Sequence, residues 1–124
     1  MKYILLTLIL FIIILGCDDT ASTQVNKNKN EIVKKQNLIK AKTLFLEATN
    51  LVFKKTEVAL DMLNTSIKLA PDYAPPYLTI GMIYRNRLNE SEKATEYFKK
   101  YLELKPEYKK AKLIKKWISE STKN

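Results

Sequence analysis

The chain contains no histidine, a single cysteine (Cys17), two glycines and four prolines among 124 residues. Each scarcity removes a class of function. One cysteine forms no intrachain disulfide, and without histidine nothing of the usual kind activates a thiolate or a serine hydroxyl. A transition-metal centre loses two of its commonest ligand types. The glycines, Gly16 and Gly81, stand alone, so no glycine-rich loop is present to cradle a phosphate. Carboxylates such as Glu90, Glu92 and Glu96 are spaced as solvated helix charges rather than as an acid–base pair. We therefore expect no enzyme, no metal and no cofactor.

The same scarcity of glycine and proline, with Leu, Ile, Lys, Ala and Glu dominant, favours helix over sheet. No stretch alternates apolar and polar residues over the length of a strand. An all-α domain is expected.

What the chain does have begins at its first residues. Met1-Lys2-Tyr3 carries a positive charge, and Ile4 through Leu15 is apolar apart from Thr7. A run of this length is shorter than the ~20 residues that span a hydrocarbon core, and it suits a signal-peptide core. It closes on Gly16-Cys17 and turns polar at once with Asp18-Asp19-Thr20. Small residue, lone cysteine and polar start resemble the lipobox of bacterial lipoproteins. The resemblance implies that residues 1–16 are a cleaved signal peptide. It also implies that Cys17 becomes the acylated first residue, with palmitate or a related chain as the only non-protein group. The protein would then be anchored in the bacterial cell envelope, on the inner or the outer membrane. Two or more acyl chains, at about 0.8 kcal/mol per buried methylene, make a stable anchor. An uncleaved anchor helix is the rival, disfavoured by the short run and by the carboxylates that end it.

Removing residues 1–16 leaves 108, enough for one small domain. Only Lys2 of the 22 basic residues goes with them, so the net charge falls from +9 to +8. Nucleic acid is not an expected partner of an exported lipoprotein, whatever its charge. From Asp18 to Asn30 the only large apolar residue is Val25, so residues 17–30 read as the lipidated cysteine and a flexible tether. Such a segment has an end-to-end distance of ~20 Å.

Apolar residues recur at helical spacing from Ile32 onward, and the helical domain is expected over residues 31–121. A first helix should run from about Glu31 to Phe53 and a second from Glu57 to Leu69, with Thr56 as N-cap. Pro75-Pro76 should open a third. Asn89 and Glu92, spaced as a capping box, should start a fourth that stops before Pro106. A fifth is expected from Glu107 to about Ser121, with Tyr108, Ala111, Ile114 and Ile118 on one face.

Counting back from the prolines exposes a repeat. Ala59 lies twelve residues before Pro71, and Ala94 twelve before Pro106. Leu63 then aligns with Phe98, Ile67 with Leu102 and Leu69 with Leu104. Tyr77-x3-Gly81-x2-Tyr84, Ala94-x3-Phe98 and Pro106 together resemble the tetratricopeptide repeat. The resemblance covers residues 72–106 well and 38–71 more weakly, with Ala48 in the place of the glycine and Leu51 in that of the tyrosine. It implies a superhelix of two α-hairpins closed by a capping helix, residues 107–121. In this family small residues let the two helices of a hairpin approach, and aromatics fill the space between hairpins.

In such repeats the first helices of successive hairpins line a groove that receives a protein or peptide. Carried over by position, that groove would be lined by Phe45, Thr49 and Val52, then by Leu78, Met82, Arg85 and Asn86. A membrane-tethered interaction adaptor is the function this implies; an assembly subunit, or one that pairs into a homodimer, is the alternative. Lys109, Lys112 and Lys116 should form a basic face on the last helix, fit for a solvated exterior, anionic headgroups or an acidic partner.

Overall fold

A computed structural model describes residues 19–121, and side-chain environments from Gln24 onward. The leader, Cys17 and its expected acylation lie outside the described residues. The chain divides into two compact units, residues 1–35 and 36–124. Five helices are described, with no strand among them: α1 (Asp19–Leu51), α2 (Thr56–Leu69), α3 (Pro75–Asn86), α4 (Ser91–Leu104) and α5 (Ala111–Ser121).

In the first unit, residues 19–35 are helical where a tether through Asn30 was expected. Side chains from Gln24 to Lys35 are all exposed, so this stretch rests on local propensity without a packed face. The low apolar content read from the sequence thus excludes burial but not helix.

The second unit holds the packed helices. The core face of α1 is made by Ala41 and Ala48, both fully buried, with Phe45, Leu51 and Val52 half-buried beside them. Ile39 and Leu46, the larger aliphatics that mark the helix in sequence, are exposed. Small residues face the neighbour because they let α2 come close. One hydrogen bond records that approach: the buried Ser66 hydroxyl donates to the Ala41 carbonyl at 2.7 Å.

α2 starts at Thr56 rather than after it. The Thr56 hydroxyl donates back to the Val52 carbonyl at 2.9 Å, and no side chain caps the helix at Lys55. Ala70 ends α2, and the loop through Pro71 is fastened by the Tyr77 hydroxyl, which donates to the Pro71 carbonyl at 3.0 Å. Pro75 and Pro76 occupy the first turn of α3, where a missing N–H costs nothing.

The expected capping box does not form. Asn89 takes a left-handed conformation (φ 54°), and Glu90, with no side-chain cap, precedes α4. The backbone N–H of Glu90 is spent on the Tyr84 carbonyl at 2.9 Å, which closes the longer turn after α3. α5 starts at Ala111, four residues later than expected. The residues after Pro106 turn instead, with the Tyr108 N–H on the Lys105 carbonyl and the Ala111 N–H on the Tyr108 carbonyl.

Two buried clusters result. Ala48, Ala59, Leu63, Ile80 and Ile83 form the first; Ala74, Tyr77, Ala94, Phe98, Tyr101 and Ile114 form the second. Ile67, Tyr84 and Tyr97 pack against both. α3 and α4 pack tightly at Gly81, where an added Cβ would lie 2.6 Å from two atoms of the Phe98 ring. Only a glycine leaves room for that ring. α5 then packs on α4, with Trp117 tilted against Phe98 at 5.4 Å between centroids.

Candidate functional site

The residues placed in the groove by sequence divide into two sets. Thr49 and Val52, near the end of α1, face Met82 and Asn86 of α3 across a cavity of about 260 Å3. Phe53, Thr79, Ile83 and Arg87 complete its lining. The floor is apolar: Val52 is half-buried, Ile83 is buried, and Met82 reaches the surface. Phe53 stands at the rim with 80% of its area exposed.

Phe45, Leu78 and Arg85 are engaged elsewhere. Phe45 meets the Tyr73 ring edge-on at 5.8 Å and packs on the first cluster. Leu78 packs against the second cluster. The Arg85 guanidinium lies 4.7 Å from the centre of the Trp117 ring and 3.6 Å from Glu120. It binds α5 to α3 and is not a lining residue of the cavity. Burial raises the phenol of Tyr73, the ring beside Phe45, above its ordinary value.

Transfer by position in the repeat omits Phe53 and Arg87; the first helix, expected to reach Phe53, ends at Leu51, and Arg87 lies just past Asn86. Their link is direct. The Arg87 guanidinium carbon sits 5.1 Å from the Phe53 ring centroid, and its Nε donates to the Thr56 hydroxyl at 3.2 Å. The turn between α1 and α2 is thereby tied to the end of α3, and the rim of the groove is fixed.

On the opposite end of the chain Lys109, Lys112 and Lys116 are exposed. Lys109 precedes α5, so only Lys112 and Lys116 belong to the helix, and Lys116 lies 3.8 Å from Glu120. Among the described residues no three cysteine, aspartate or glutamate side chains are grouped to hold a metal ion. Among them, too, no helix is long and apolar enough to cross a membrane.

Antiparallel helix pairs packed side by side, with a glycine seam inside one pair and aromatics between neighbours, define a helical-hairpin repeat of the tetratricopeptide type. Residues 74–108, from the start of α3 to just past α4, match the family model described as a tetratricopeptide repeat. No curated protein matches the chain. A repeat of this kind is a protein-interaction module, which fits a groove with an apolar floor and a polar lip.

Proposed function

We propose that the protein is a membrane-tethered adaptor: Cys17 carries the lipid, and the groove between α1 and α3 holds a segment of another protein in the bacterial envelope. The observation that carries the binding half is the cavity lined by Val52, Phe53, Met82 and Arg87. It pairs an exposed aromatic with an exposed guanidinium, two residue types that anchor protein interfaces. The tethering half is supported by the sequence of the leader, its close at Gly16-Cys17 and the polar residues after it. Labelling cells with radioactive palmitate tests the anchor. The protein should incorporate label and Cys17→Ala should not; labelling that persists in the variant refutes attachment through Cys17.

A second reading, self-association, is favoured by one specific observation. In the second unit Ile39 and Leu46 are exposed and lie seven residues apart; Val25 and Ile32, in the first, are exposed with the same spacing. A seven-residue spacing supplies one of the two apolar positions that a coiled-coil heptad needs. Sedimentation of residues 19–124 separates the readings: a tight dimer that Ile39→Glu with Leu46→Glu dissociates supports pairing, and a monomer supports the adaptor.

A further inference from the structure

The two arginines of the chain, at the same end of α3, are used differently. Arg85 has a carboxylate, Glu120, and an indole face, Trp117. Arg87 has the Phe53 ring and, through Nε alone, the Thr56 hydroxyl. Among the described residues no ion pair takes up its charge, and it is the single charged side chain that lines the groove. Stacking and the Nε bond fix the plane of the guanidinium, so its terminal nitrogens present a preset fork. Such a fork matches a carboxylate through two parallel hydrogen bonds. Lys54 and Lys55 are exposed in the adjoining turn and add positive charge to the same rim.

Size narrows the occupant further. At about 260 Å3 the cavity falls below the ~300–1,000 Å3 typical of small-molecule sites, and it suits one bulky side chain of a longer ligand. Met82, Val52 and the open Phe53 ring give that side chain an apolar seat. We infer that the groove takes an acidic-apolar peptide segment, its bulky side chain seated on Val52, Phe53 and Met82 and a neighbouring Asp or Glu carboxylate held by Arg87. This rests on the groove being the binding surface and adds the chemistry of what enters it.

The test uses the full chain in detergent and three fluorescein-labelled decapeptides of Ala and Gln. Each carries a central Phe, flanked by two Glu, two Gln or two Lys. Fluorescence polarisation should show the Glu peptide binding at least ~10-fold more tightly than the Gln peptide, as charge-assisted hydrogen bonds allow, and the Lys peptide weakest. Arg87→Gln should bring the Glu peptide down to the Gln peptide and leave the latter unchanged. Lys115→Gln, which removes one charge away from the groove, should keep the preference. Met82→Glu should abolish binding of all three, with circular dichroism showing each variant helical. Equal affinity for the Glu and Gln peptides, or a preference that survives Arg87→Gln, overturns the acidic occupant; the groove itself then stands only if Met82→Glu still abolishes binding. If no peptide binds, or Met82→Glu changes nothing, the groove and its occupant fall together.

Discussion

The two hairpins solve the same packing problem with opposite materials. In the second, Gly81 gives up its side chain so that the Phe98 ring fits against α3. The aligned pair in the first is Ala48 and Leu63, both fully buried in one cluster. There the helix carries an extra methyl and its neighbour gives up the ring. Volume is conserved across the seam while its distribution changes, the kind of exchange that cores tolerate best. The second hairpin is also the aromatic one: Tyr84 stacks on Tyr97 at 5.7 Å, and Tyr101 meets Tyr108 edge-on at 5.3 Å. The family model's match to residues 74–108 covers this second hairpin. Glycine and aromatics at fixed spacing are distinctive, whereas alanine and leucine are common in any helix.

Truncation should expose the asymmetry most strongly. Phe98→Ala should cost about 3–5 kcal/mol and Leu63→Ala about 2–5, read from the midpoint of urea unfolding. A Leu63 effect as large as that of Phe98 would mean the ring has no special place in the second seam. Next comes Gly81→Ala. Overpacking against a buried ring costs roughly 1–3 kcal/mol, more than the ~1 kcal/mol that alanine gains over glycine in a helix, so the variant should be the less stable. Combining Gly81→Ala with Phe98→Leu recreates the pairing of the first hairpin. The double variant should be more stable than the sum of its singles predicts, by about 0.5 kcal/mol or more in a double-mutant cycle. Strict additivity would break the volume-exchange account.

The smallest expected effect lies in alkali, and it too belongs to the second hairpin. Burial raises the phenols of Tyr97, Tyr101 and Tyr77 above the ordinary 10.0, with Lys100 partly opposing the rise at Tyr77. Their neutral forms are favoured in the folded chain. The stability they contribute is therefore complete below about pH 10 and lost as the pH climbs through their folded values. The hydrogen bond and charge of Glu90 raise Lys93, and those of Glu103 raise Lys100, which acts in the same direction. Unfolding monitored through tyrosinate absorbance should show the second cluster yielding only above pH 10.

Most of the fold was legible because its punctuation is chemical. Pro75, Pro76 and Pro106 mark helix ends by geometry, and the equal Ala59-to-Pro71 and Ala94-to-Pro106 intervals mark the repeat. What escaped depended on competition for single groups. The Asn89 and Glu92 spacing suggested a cap, but the extra residue in that turn puts Asn89 in the left-handed region instead. Position in the repeat assigns Arg85 to the groove; an indole and a carboxylate on α5 hold it elsewhere. Four of the seven proposed lining residues do meet around the cavity, and Thr79, Ile83, Phe53 and Arg87 complete it. Ile83 lies one turn beyond Thr79 on the same helix, so the positional transfer, not the sequence, left it out.

Ile67, Tyr84 and Tyr97, which touch both clusters, bear on how the domain comes apart. A stack of independent repeats would melt in stages, the weaker end first. Three side chains held in common, with Ile80 and Ile83 of α3 buried in the first cluster, join the hairpins, so loosening one strips contacts from the other. Heat should dissolve both in one calorimetric peak, and a ligand gripping the groove from one side should raise the melting temperature of the whole.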